Sequence, residues 1–386
     1  MSQVASPPKA KVKLTTDEII LVIVAISGFL TVYVQVAVLF FVSIFALIKR
    51  RDMFKDRIPE TVLLGAFCIL AITVTAIYGT WIMVLLSVTL VFACVDIIYV
   101  SKYLTPRIFE LITQIICFAS IPCLGVAHIQ KALGLSWAYG ERYCSVFFNA
   151  NFYGLVAAMT VLFCVYRVCR DLRPITVGIY SALILVNVMA IYLTGSRTPF
   201  IVIAAGIFCY LVAARKWKTL GILCSLGVLL VVVDVALGDL VDIIPRMGDL
   251  QESFYGRWAI WKNAITSIKM RPLFGYGTYS YSRVYEDLSG WYAIHAHNLI
   301  LEILMDYGIV GLSILIAFFA KVMHQGSKVI KTKRDRLIQG IVVATYVITL
   351  LSGMFDLAMF WPQTAAILCF GMSCGRTLEQ VQDNNN

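Results

Sequence analysis

Runs of about twenty apolar residues, each closed by a short polar segment, recur along the chain, and each is long enough to cross about 30 Å of hydrocarbon as a helix. A backbone in lipid must satisfy its own hydrogen bonds, so such runs predict α-helices. Ten fall at about 59–78, 81–100, 108–127, 146–166, 175–193, 198–213, 219–238, 298–320, 337–356 and 358–375. The apolar stretch 19–48 is long for one crossing and short for two. Lys9, Lys11 and Lys13 place the N-terminus on the basic side of the membrane, which requires two crossings with a turn near Gly28 to Tyr33. The pattern predicts an all-α polytopic membrane protein of about twelve transmembrane helices in one domain, 1–386; a single first crossing would leave eleven. No repeat of solenoid period is visible.

Composition agrees with this pattern. Hydrophobic residues make up 60% of the chain and charged residues 14%, against about 25% charged in soluble domains. The formal charge of +10 would suit nucleic acid or a membrane, and position decides between them. Basic residues gather in "KRRDMFKDR" (49–57), "RVCRDLR" (167–173), "ARKWK" (214–218) and "KVMHQGSKVIKTKRDR" (321–336), each flanked by apolar runs. These read as cytoplasmic loops, which removes nucleic acid as a partner and puts both termini in the cytoplasm. The N-terminus, lacking a cleavage site, reads as a retained tail. Eleven cysteines scattered without a CxxC pair read as buried free thiols. Two segments face outward at length: 128–145, and 239–297 as the main extracytoplasmic loop.

The candidate chemistry collects on that outer side. In "HAHNLILEILMDYGIVGL" (295–312), His295, His297 and Asn298 run into a span that carries Glu302 and Asp306. Of four histidines, His128 sits at a helix end and His324 in a basic loop, leaving His295 and His297 as proton acceptors at neutral pH. Helical spacing places Asn298, Glu302, Met305, Asp306 and Ile309 on one stripe, with Leu299, Ile300 and Ile303 turned elsewhere. Carboxyls at this depth face protein or water, so the stripe lines an interior. Gly308 and Gly311 would let a neighbouring helix approach closely.

Arg197, in "LTGSRTPF" (193–200), occupies a very short outer connection, where topology disfavours arginine. Snorkelling to headgroups or binding an anion would each explain it. In "GRWAIWKNAITSIKMRPLFGYG" (256–277), Trp258, Trp261, Ile265 and Ile268 share a face bordered by Lys262, Lys269 and Arg257, the pattern of a short helix lying in the membrane interface. Pro272, Gly275 and Gly277 end it, and no acid lies between Arg257 and Arg271. Arg257, at the helix start, is the better anion ligand because helix N-termini favour anions. Arg142, from the other outer segment, is a third candidate cation. Two arginines and a histidine on one face suggest processing of an anionic lipid headgroup. Neither a metal nor a cofactor is expected: "YEDL" (285–288) is the only close external acidic pair, and His295, His297 and Glu302 fit no familiar closed zinc site.

"HNLILEILMDYGIVG", where nine residues separate Asn298 from Gly308 and Gly311 follows, resembles the signature of the O-antigen ligase and O-antigen polymerase superfamily of bacterial envelopes. "TGSR" ending at Arg197, "GRWAIW" with Arg257, "PLFGYG", and "FFNANFYG" (147–154) with Asn149 and Asn151 resemble that family in order and spacing. The resemblance covers about residues 140–312. It implies a glycosyltransferase of the C type in the bacterial cytoplasmic membrane, with its active site facing outward. Such enzymes take a glycan from undecaprenyl pyrophosphate and join it to an acceptor hydroxyl on a glycan or lipid, with inversion and without metal. It further implies that Arg197 and Arg257 hold the pyrophosphate and that His297 is the base. Asn298, Glu302 and Asp306 would orient His297 or the sugar, or serve interhelical bonding; Asn149 and Asn151 belong to the motif or to packing. Polymerase and ligase share these residues, and the compact outer loop inclines the reading to a polymerase of O-antigen or capsule repeat units. A chain-length regulator is a partner the family implies. A flippase or other transporter also has about twelve helices, but would place its charges near the midplane in matching halves.

Overall fold

The computed structural model describes residues 13–135, 142–236, 250–288, 290, 292–331 and 335–375. The expectations for the tail before residue 13, for 136–141 and 237–249 within the outer segments, for the side chain of His324 and for the tail after 375 lie outside the described residues.

The described chain is helical throughout. In order come α1 (Thr16–Ser27), α2 (Val32–Lys49), α3 (Asp52–Lys55), α4 (Ile58–Tyr78), α5 (Trp81–Tyr103) and α6 (Pro106–Ala132). Then follow α7 (Ala150–Arg170), α8 (Pro174–Leu193), α9 (Thr198–Ala213), α10 (Trp217–Ala236) and α11 (Leu250–Met270). The last are α12 (Tyr281–Asp287), α13 (Leu299–Lys331), α14 (Arg336–Gly353) and α15 (Pro362–Ser373). Their starts are written locally. Thr15 and Glu18 form a capping box, Thr31, Thr105, Asn149 and Asp335 accept amide N–H groups, and Pro106, Pro174 and Pro362 occupy first turns.

Among the described residues, eight helices are long and apolar enough to cross a membrane: α2, α4, α5, α6, α7, α8, α13 and α14. The expected count of about twelve is reached only by adding shorter pieces, since α1 and α15 have 12 residues each, α9 has 16, and the apolar length of α10 is Trp217–Leu229. Residues 19–48 do form two helices, closed by a 2.6 Å bond from Ser27 Oγ to Gln35 Oε1. The span expected over 337–356 stops at Gly353, and the one over 358–375 starts only at Pro362. That difference frees the segment holding Asp356 from either helix.

α7 is the centre of the bundle, buried at every position from Phe152 to Cys164. Glycines allow its neighbours close: a Cβ on Gly154 would meet the Pro199 ring at 2.6 Å, and one on Gly206 would meet Ile348 at the same distance. At the end of the bundle carrying the basic segments, charges are paired. Arg50 bonds Asp17 at 2.9 Å, Arg167 bonds Glu110, and Arg170 joins Glu110 at 3.2 Å to Asp335 at 2.6 Å.

α13 is not one continuous helix. Gly308 has φ +65° and breaks the ladder, and the loop 272–277 fills the gap. Tyr276 and Gly277 donate N–H to the oxygens of Met305 and Asp306, at 2.9 and 2.8 Å, while the oxygens of Pro272 and Leu273 accept from Ile309 and Val310, at 2.8 and 3.2 Å. A Cβ on Gly308 would lie 2.2 Å from Leu273 O, so this glycine admits a loop rather than the expected helix. Gly311 does face a helix, with Leu70 of α4 at 3.5 Å. The break also resets the phase of the stripe: Glu302, Met305 and Asp306 are buried, but Ile309 is 53% exposed. Leu299 and Ile303 form a second buried face with Phe67, Ala71 and Tyr307.

α11 departs from the interfacial reading in two ways. At 21 residues it is not short, and Arg257 lies two turns inside it rather than at its start. Its Ile260 and Ala264 pack with Tyr281, Val284 and Met305, drawing Trp261 and Ile268 in, while Trp258 and Ile265 stay exposed. The predicted aromatic face is therefore split between protein and surroundings.

Candidate active site

Asn298 caps α13 by accepting from the amides of Ile300 and Leu301, both at 3.1 Å. Its Nδ2 donates to Met354 O at 3.1 Å, tying this helix start to the end of α14. Gly353 makes the approach feasible, since a Cβ there would sit 3.0 Å from the Leu299 side chain. Just before the cap, Glu302 reaches back to accept the Ala296 amide at 2.6 Å, and its Oε1 is buried without a partner among the described residues. The two histidines are thus fixed from below by the stripe that sequence spacing placed there. Asp306 serves a different loop, accepting from Tyr279 N, Ser280 N and Ser280 Oγ at 3.0, 2.9 and 2.7 Å and so holding the start of α12.

His297 adopts φ +49°, a left-handed backbone that a non-glycine residue takes at a cost of about 1–3 kcal/mol. Its amide donates to His295 Nδ1 at 3.1 Å. That bond assigns the His295 proton to Nε2. Burial, then the neighbouring His297, holds the His295 pKa down at about 4 despite Asp356, so this ring is neutral at pH 7.

Asp356 is the residue that sequence reasoning missed. Its carboxylate is 8% exposed, with Oδ1 3.7 Å from His297 Nδ1 and 3.8 Å from His295 Nε2. Burial acts to raise its pKa, but the imidazole of His297, the charge of His295 and the Asn151 amide outweigh it and hold the group at about 2. Asn151 Nδ2 donates to Oδ2 at 2.8 Å. The Asn151 oxygen in turn accepts from Arg142 Nη2 at 2.8 Å and Ser196 Oγ at 2.7 Å. Arg142 also bonds Thr194 O at 2.8 Å, so its guanidinium braces the turn that carries Arg197. Asn149 caps α7, with its oxygen 2.8 Å from the Asn151 amide. The motif "FFNANFYG" therefore supplies a cap and a hub. The signal for Asp356 was present but faint: one acid in "SGMFDLAMFWP", at a point where apolar pattern alone ran two spans together.

Arg257 completes the constellation. Its guanidinium is largely desolvated, and burial lowers its pKa against the opposing pull of Asp356, with Arg197 adding to the lowering. Arg257 thus sits within electrostatic reach of both Arg197 and the carboxylate beside His297. One ring nitrogen from each of His295 and His297 and an Asp356 oxygen lie within 4.8 Å of one another, a donor set that could hold a metal ion. Asp356, not Glu302, supplies its carboxylate. Beside the site, a cavity of about 640 Å³ with mostly apolar walls from α2, α5, α13 and α15 reaches Tyr279, Glu302 and Asp306 at this end.

Comparison with known proteins agrees with the resemblance. Residues 180–316, from α8 into α13, match the family model described as O-antigen ligase. No curated protein matches the chain.

Proposed function

We propose that this multi-pass membrane protein, with a segment of O-antigen ligase type, moves a glycan from undecaprenyl pyrophosphate to an acceptor hydroxyl at the outer face of the cytoplasmic membrane, extending surface-polysaccharide repeat units. The observation that carries this reading is the convergence of His297, Asp356, Arg197 and Arg257, from four separate elements, at the end of the bundle away from the basic segments. The basic segments face the cytoplasm under the positive-inside rule, which turns the site outward.

In the proposed reaction the acceptor oxygen attacks the anomeric carbon in a single displacement that inverts it. The new C–O bond forms as the bond from carbon to the pyrophosphate oxygen breaks, and that oxygen leaves with the electron pair. Guanidinium forks at Arg197 and Arg257 stabilise the charge gathering on the leaving pyrophosphate. The acceptor proton passes to His297. With Nδ1 turned to Asp356, the Nε2 lone pair is the one available to take it, and the carboxylate stabilises the imidazolium that results. The large apolar cavity alongside favours a substrate with a hydrocarbon tail.

Purified protein in lipid, given undecaprenyl-pyrophosphate-linked repeat units and no added metal, should yield a ladder of longer lipid-linked glycans by mass analysis. The matched family's description favours a second reading, ligation to lipid A core or another envelope acceptor. Transfer seen only after such an acceptor is supplied would select it, and no covalent product with either would return the chain to the transporter reading.

A further inference from the structure

Arg271 follows the last residue of α11, and its guanidinium lies between two tyrosine rings, 3.9 Å from the Tyr78 centroid and 4.6 Å from that of Tyr276. Stacking on aromatic faces fixes the plane of the group but uses none of its five N–H donors. None of these is bonded to an acceptor among the described residues, and Nη1 is buried without a partner. Arg283, from α12, grips the same two residues, donating to Tyr78 O and, at 2.9 Å, to Tyr276 O. Its Nε is also buried without a partner. The acid whose charge reaches Arg283 is Asp306, already committed to Tyr279 and Ser280. Two guanidiniums share one pair of tyrosines, then, with no carboxylate among the described residues bonded to either. Partly desolvated cations in that state call for a counter-anion.

The surroundings specify which anion. Trp81, Met270, Leu273 and Phe274 are exposed apolar residues at the same rim, and Tyr78 is partly exposed beside them. Such a belt marks the boundary of hydrocarbon and headgroups. From Arg257 to Arg271, just past the end of α11, is a step of fourteen positions, a rise of about 21 Å at 1.5 Å per residue, which is several times the span of one pyrophosphate.

We propose that Arg271 and Arg283 form a second oxyanion site, which binds the phosphate of a lipid whose tail lies in the bilayer at this rim. Its placement on the outer leaflet rests on the orientation proposed above. The phosphate has two sources, a second lipid-linked glycan serving as acceptor or an anionic phospholipid of the membrane. A polymerase needs two lipid pyrophosphates at once, and a short oligosaccharide would bridge the gap from this site to His297.

Native mass spectrometry of the full chain, titrated with undecaprenyl pyrophosphate and separately with phosphatidylglycerol, tests this. Wild type should retain two undecaprenyl pyrophosphates; Arg257→Ala should weaken one and Arg271→Ala the other, by about tenfold. Arg271→Lys should fall between, because an ammonium keeps the charge but not the fork. Loss of undecaprenyl pyrophosphate alone in Arg271→Ala would identify the acceptor, and loss of phosphatidylglycerol alone would identify a membrane lipid; both support the site. Unchanged binding of both lipids in Arg271→Ala and Arg271→Lys would overturn it. If Arg271→Ala lowers thermal stability, Arg271→Lys and Arg283→Lys decide in its place. Wild type that makes no product in the transfer assay would remove the proposed function while leaving this binding result to stand on its own.

Discussion

The arginines at the two ends of the bundle are used in opposite ways. At the basic end, Arg50, Arg167 and Arg170 each meet a carboxylate, and Tyr99 and Tyr166 join the same acids. At the other end, Arg257 and Arg271 are bonded to no carboxylate among the described residues, and the acid nearest the site, Asp356, faces two histidines instead. A paired cation is satisfied by the fold alone, whereas a desolvated cation without a partner costs stability that a ligand can return. The contrast separates architecture from site more sharply than charge counts do, because both ends are rich in arginine.

The largest break in that comparison should come from His297→Ala, which removes the proposed proton acceptor while leaving the paired end intact. Turnover should fall by about 10²–10⁴ with normal insertion and yield, and a variant that still builds the glycan ladder at wild-type rate would exclude His297 as the base. Next in size, Asp356→Asn keeps the shape but loses the charge that stabilises the imidazolium; kcat should drop by about a hundredfold or more, with little change in donor KM. Arg257→Ala should raise donor KM about tenfold or more, whereas Arg170→Ala, on the paired end, should leave kinetics unchanged and cost at most about 1 kcal/mol. Equal kinetic losses in those two variants would erase the distinction between the ends.

The smallest effect concerns pH. Asp356 at about 2 and His295 at about 4 do not change charge between about pH 5 and 8, so neither of them should shape the activity profile in that range. Stability has its own signs. His295 is depressed from 6.5, so only the unfolded chain takes up a proton as pH drops from there toward about 4, and the fold weakens over that window. Asp356 contributes stability above its ordinary 3.8 that is lost toward about 2. Stability flat from pH 6.5 to 4 would count against the assignment of His295, and stability flat from pH 3.8 to 2 against that of Asp356.

Much of the candidate site was legible because its parts are local. The cap at Asn298, the backward reach of Glu302 to residue 296 and the oddity of Arg197 in a short connection all lie within one or two helical turns of sequence. Asp356 was not legible, because its meaning depends on Asn151 and His297, which are 205 and 59 residues away. Gly308 was misread for a similar reason. Its spacing from Gly311 suggested a helix contact, and only the loop 272–277 seated at the break explains its positive φ.

By itself the sequence determined that this chain crosses a membrane many times as helices, which end carries the basic loops, and which histidines stand at a span mouth. Hydrophobic length and charge asymmetry act residue by residue and need no partner. Tertiary structure decided which cations are paired, where α13 breaks, and that an acid from the far end of the chain turns toward His297. Those outcomes rest on distances between segments remote in sequence, which apolar periodicity does not encode.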